Sequence, residues 1–158
     1  MRALLLTGGE APPRSAIESL LGRFGLVCAA DSGLDLAAAW GVDPDLIAGD
    51  MDSVSDLALV GSYPRARVHL APRAKDETDT ELGLRLLRDA GANRVVLAGG
   101  GGGRLDHLLA VRALFERAEG PDEWWAPGER VVRISGARTW QAEPGSTVSV
   151  FPLAGSAT

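Results

Sequence analysis

One lysine, one cysteine, one tyrosine and two histidines are all that these 158 residues contain of those types. The single cysteine, Cys28, excludes an intrachain disulfide, and nothing calls for an oxidising compartment. Basic residues are outnumbered: 16 Lys and Arg against 21 Asp and Glu leave a net charge of −5. A chain without a basic excess is poorly suited to non-specific nucleic-acid binding. It can still take small anionic substrates where a metal ion supplies positive charge. Long hydrophobic runs are missing too. The three leucines at positions 4–6 are too few for a signal-peptide core or a membrane span and read as a first strand, so the cytoplasm is the expected compartment and no membrane partner is expected. There is no internal repeat and no low-complexity tract. Two common phosphate-binding signatures are also absent. The glycines at 99–103 fail G-x-G-x-x-G because Arg104 stands sixth, and no Gly-Lys-Ser/Thr follows them.

What is present is an alternation. Hydrophobic content of 46% is that of a folded domain, and the length allows one full core with a small appendage. Short apolar runs ("ALLLTGG", "LVCAADSG", "DLIAGDMDS", "ARVHLAP", "RVVLAGG") alternate with helical spacings. "SAIESLLGRF" offers Ser15 and Glu18 as a capping box, and "LDLAAAWG" closes on Gly41. A short helix is expected in "VSDLALVG", and longer ones in "DETDTELGLRLLRDAGA" and "RLDHLLAVRALFERA". This pattern predicts an α/β fold: an open, mostly parallel sheet with helices on both faces. From about residue 122 the texture becomes turn-rich and β-like, which predicts a strand meander. The expected organisation is therefore an α/β domain over residues 1–120 and a β-rich segment over 121–158.

In an open α/β sheet, ligands bind beyond the carboxyl ends of the strands. Nearly every unusual polar cluster follows an apolar run: Asp31, then Asp50-Met51-Asp52-Ser53, then Lys75 through Asp79, then the glycine loop with Arg104, Asp106 and His107. Two aspartates separated by one residue need water, donors or a cation to stay ionised together. Asp31, Asp50, Asp52 and Asp79 are hard oxygen ligands of the kind Mg²⁺ takes. Gly101, Gly102 and Gly103, ahead of a helix, present backbone N–H groups as an anion cradle. Lys75, the only lysine, and Arg104 can neutralise phosphate charge. Thr78 can donate to phosphate or cap its helix, whereas Ser53 reads better as a cap. His107 reads equally as a packed residue or a phosphate contact. Trp124, Trp125 and Trp140 read as core or interface residues, and His69 as an ordinary strand residue.

"AADSG", "PDLIAGDMDS", "KDETDTELGL" and "GGGGGRLDHLLA" resemble, in order and spacing, the motifs of thiamine pyrophosphokinases; "STVSVFPL" near the end resembles a later strand of that family. The resemblance implies an ATP- and Mg²⁺-dependent homodimer with a β-sandwich second domain and the thiamine site between subunits. The thiamine hydroxyl would attack the β-phosphorus of ATP, giving thiamine diphosphate and AMP. It further implies that residues 1–120 are the nucleotide-binding catalytic domain and 121–158 part of the thiamine-binding domain, that Asp50, Asp52 and Asp79, with Asp31 nearby, bind metal, and that Lys75, Thr78, Arg104, Asp106 and the glycine loop hold ATP; with no histidine standing out as a base, Asp31 or Asp79 is the candidate proton acceptor. Family chains run past the "SVFPL"-like strand, so the sequence predicts a shortened acceptor domain. Two other readings remain: a related pyrophosphokinase acting on another small alcohol such as a hydroxymethylpterin, and a non-catalytic nucleotide-binding module.

Overall fold

The computed structural model describes residues 1–72, 77–103, 105–139, 141 and 144–152. Strands β1 (Arg2–Leu6), β2 (Leu26–Ala30), β3 (Leu46–Gly49), β4 (Arg67–Leu70) and β5 (Arg94–Ala98) alternate with helices α1 (Arg14–Leu21), α2 (Gly33–Trp40), α3 (Ala58–Gly61) and α4 (Asp79–Asp89). Helix α5 (Leu105–Leu114) then leads to β6 (Glu123–Ala126) and β7 (Glu129–Val132). One seven-stranded sheet results, ordered β4-β3-β2-β1-β5-β6-β7, parallel throughout except that β7 runs antiparallel to β6.

The central strands are apolar on both faces because both faces are covered. Leu4, Leu6, Val27, Ala29, Ile47, Val96 and Ala98 pack with Ile17 of α1 and Leu34, Ala37 and Trp40 of α2. Their alternates Ala3, Leu5, Cys28, Ala30, Leu46, Ala48, Val95 and Leu97 pack with Leu82, Leu84 and Leu87 of α4 and Val111 of α5. Helix α4 carries a glycine mid-helix, a choice that ordinarily costs about 1 kcal/mol against alanine. At Gly83 a Cβ would stand 2.7 Å from Leu5 Cδ1 and 3.3 Å from Cys28 Sγ, so the missing methyl lets α4 lie directly on the sheet.

Two expectations are corrected. The capping box belongs to α4, not α1: Thr78 Oγ1 accepts from Glu81 N, and Glu81 Oε2 accepts from Thr78 N. Pro13 is the N-cap of α1, so Ser15 already lies inside the helix and makes no cap. The β-like texture after residue 121 does produce strands, but β6 and β7 extend the first sheet instead of starting another. Pro127 and Gly128, the latter at φ 72°, form the two-residue turn that joins them. Beyond Val132 no strand occurs among the described residues, and Val148, Val150 and Phe151 are exposed. No helix among the described residues is long and apolar enough to cross a membrane.

Candidate functional site

The strand order reverses direction at β1: the chain adds β2, β3 and β4 on one side, then β5 and β6 on the other. Such a switch point opens a crevice at the carboxyl ends of β1 and β5. Two glycine-bearing loops meet there. Gly100 N donates to Gly8 O (2.7 Å), and Glu10 and Gly101 exchange backbone bonds at 2.8 and 2.9 Å. Trp124 Nε1 props the same loop by donating to Gly99 O at 2.7 Å. The amides of Gly100 and Gly101 are thus occupied, while those of Gly102 and Gly103 form no backbone bond among the described residues. The Thr7–Glu10 loop is an addition to the residues the sequence singles out, and its signal is "TGG", which follows the first apolar run as the other clusters follow theirs.

The carboxylates gather next to this crevice. Asp31 follows β2 with a left-handed backbone (φ 48°), its N–H fixed to Ala48 O at 2.8 Å. Asp50 follows β3, and Asp79 opens α4 directly after its cap. One oxygen from each of Asp31, Asp50 and Asp79 lies within 4.8 Å of the others. Gly49 makes room for this, since a Cβ there would stand 2.9 Å from Asp79 Oδ1, and its φ of 133° disfavours other residues. Asp52 does not join the group. Met51 takes φ 61° and buries its side chain against the core, so the turn sends Asp52 outward, with its N–H donating to Asp50 Oδ1 at 3.0 Å.

Burial pushes the Asp31 carboxyl above its ordinary value. A hydrogen bond from Ser53 opposes that shift, and the negative charges of Asp79, Asp50 and Asp52 add to it. Ser53 is therefore not a helix cap: its hydroxyl donates to Asp31 Oδ2. Asp31 Oδ1 is buried and has no hydrogen-bond partner among the described residues. A half-buried, all-oxygen set with one orphaned oxygen suits a hard divalent cation such as Mg²⁺.

The remaining predicted residues fall elsewhere. Thr78 uses its oxygen to cap α4. Asp106 and His107 are exposed in the first turn of α5, outside the carboxylate group. Lys75, Arg104 and Trp140 lie outside the described residues. His69 sits on the edge strand β4.

The family model for the thiamin pyrophosphokinase catalytic domain matches residues 17–120. No curated protein matches the chain. Among solved structures, a thiamin pyrophosphokinase family protein from Enterococcus faecalis is 25% identical, with a TM-score of 0.66 over 80% of this chain and 62% of that one. Thiamin pyrophosphokinase from Geobacillus thermodenitrificans is 29% identical, with a TM-score of 0.65 over 80% and 60%. The yeast enzyme, at 14% identity and a TM-score of 0.58, shares the fold. The chain thus spans about three fifths of the length of the first two structures.

Proposed function

We propose, from the premise that this chain belongs to the thiamin pyrophosphokinase catalytic-domain family, that it transfers the pyrophosphoryl group of ATP to the hydroxyl of thiamine and releases AMP. The observation that carries this reading is the convergence of Asp31, Asp50 and Asp79 beside the crevice where the two glycine-bearing loops meet. Asp31, Asp50 and Asp79 would hold Mg²⁺, and the ion, when bound, neutralises phosphate charge. The chain's own share is positioning. Gly102 and Gly103 offer the amides of their loop that are left to meet phosphate oxygens, at the entry to α5. Lys75 and Arg104 add compensating positive charge. The hydroxyl and the phosphorus are then held in line, where orientation and charge stabilisation supply most of the rate.

The reading includes a cytoplasmic homodimer, supported by the exposed apolar residues Val148, Val150 and Phe151, which suit a partner surface. The test combines three measurements. AMP should accumulate from ATP only with Mg²⁺ and thiamine. ATP with Mg²⁺, each near 100 times its dissociation constant, should stabilise the fold by about 2.7 kcal/mol or more. Sedimentation should give twice the chain mass. AMP release with a hydroxymethylpterin but not thiamine would replace the acceptor. Nucleotide binding without turnover would replace the enzyme with a binding module, and a monomer that turns over would remove the dimer.

A further inference from the structure

We infer that Ser53 is a positioning residue of the carboxylate site: by holding Asp31 Oδ2 it fixes the carboxylate and leaves Asp31 Oδ1 as the oxygen offered to a divalent cation. The inference rests on the metal-dependent reading above. The backbone of Asp31 is pinned by its N–H bond to Ala48 O, and its carbonyl accepts from Leu34 N at 2.9 Å. Neither bond fixes the side chain. Among the described residues, the carboxylate receives one hydrogen bond, from Ser53 Oγ, while Oδ1 stays buried and unpartnered. A carboxylate free to rotate beside two like charges would turn its oxygens away from them, and a donor on one oxygen opposes that.

Ser53 is itself held in place. Two residues on, Ser55 donates to Asp35 with both its hydroxyl and its N–H (3.1 Å to Oδ2), so two serine–aspartate pairs staple the segment after β3 to the start of α2. Buried Met51 anchors the near end of the same segment. Ser53 is exposed and packs in no core, so its hydroxyl can be tested apart from stability.

The experiment is a titration of the full chain with Mn²⁺, without nucleotide, followed by electron paramagnetic resonance, with melting in EDTA as the fold control. Ser53→Ala should weaken Mn²⁺ binding about tenfold, the lower end of what losing a residue that orients a ligand costs. Ser53→Cys, a poor donor of similar volume, should do the same should the alanine variant not fold. Ser53→Thr, which keeps the hydroxyl, should stay within about threefold of wild type. Ser62→Ala, which removes an exposed hydroxyl donated to Ala58 O in α3, away from both staples, should leave Mn²⁺ affinity unchanged. Unaltered Mn²⁺ affinity in Ser53→Ala, with tight binding by the wild type, would overturn the positioning role and leave the metal site standing. A wild type that takes up no Mn²⁺ would overturn the metal-dependent reading itself.

Discussion

Asp50→Asn is expected to lower kcat/KM about 10³-fold while the fold survives, a loss on the scale of removing one pre-organised electrostatic contact from a reacting site. The side chain keeps its shape, and an amide oxygen can still accept the Asp52 N–H, so the turn after β3 is preserved. The charge is what disappears. Asp31, Asp50 and Asp79 bring one carboxylate oxygen each to within 4.8 Å of the others, so in the absence of a cation the variant also loses a repulsion. Its melting temperature should hold or rise slightly. Asp52→Asn should cost only about tenfold, because Asp52 is exposed and outside the group and acts there as a more distant negative charge. Steady-state AMP formation and thermal melts measure both. Near-normal turnover in Asp50→Asn would return the Asp-Met-Asp stretch to an ordinary turn, and equal losses at 50 and 52 would show that the turn rearranges to engage both.

That contrast marks where the sequence could be read and where it could not. Strand positions were legible because runs such as Leu4–Leu6 and Val95–Leu97 are too short and too apolar for anything but strands covered on both faces. The rim was legible because topology forces every parallel strand to end on the same side. Asp31 and Asp79 were legible as companions of Asp50 on that rim; the outward place of Asp52 was not. Adjacency groups Asp52 with Asp50, but Met51, in a left-handed conformation, turns Asp52 outward, while Asp79 meets Asp50 from the start of α4. The role of Ser53 is hidden from the sequence for a related reason. Ser53 near a short helix suggests a cap, and only three-dimensional contact puts Asp31 against it. The strands after residue 121 were legible as strands, yet nothing in their composition says which sheet edge they join. What joins them is β6 pairing in parallel with β5, from Val96 against Glu123 to Ala98 against Trp125.

Glu123→Ala is the substitution expected to cost the most stability, about 3 kcal/mol. Glu123 begins β6 fully buried, beneath the amino ends of β1 and β5, and is surrounded by guanidinium groups. Arg130 donates to Oε2 from Nε at 3.1 Å and Nη2 at 2.7 Å, and Trp125 Nε1 reaches the same oxygen at 3.3 Å. Arg2 reaches Oε1 at 3.3 Å, and Arg94 bonds it as well. Two of these arginines also lie over aromatic rings, Arg2 over Phe24 and Arg130 over Trp125, at 5.2 and 5.0 Å. Removing the one anion leaves three cations facing each other. Breaking a buried pair from one side costs about 3–5 kcal/mol. The lower end applies because the arginine side chains are 24, 39 and 46% exposed, and water screens part of their repulsion. For a chain of this size, 3 kcal/mol lowers Tm by about 6–12 °C. Glu123→Gln should lose less, since an amide keeps an acceptor for the guanidinium groups. Burial alone would raise the Glu123 pKa, but the bonds and charges of Arg130 and Arg94 outweigh it and hold the carboxyl below its usual value. The sign of the pH dependence follows: a lowered folded pKa contributes stability above the unfolded value of about 4.3 and loses it as pH falls through the folded one. The Tm gap between wild type and Glu123→Ala should therefore be full at pH 7 and narrow only in acid below about pH 4. A variant that melts within about 2 °C of wild type at pH 7 would mean that the three arginines swing into solvent at no cost, and that the buried glutamate is tolerated by the sheet, not required by it.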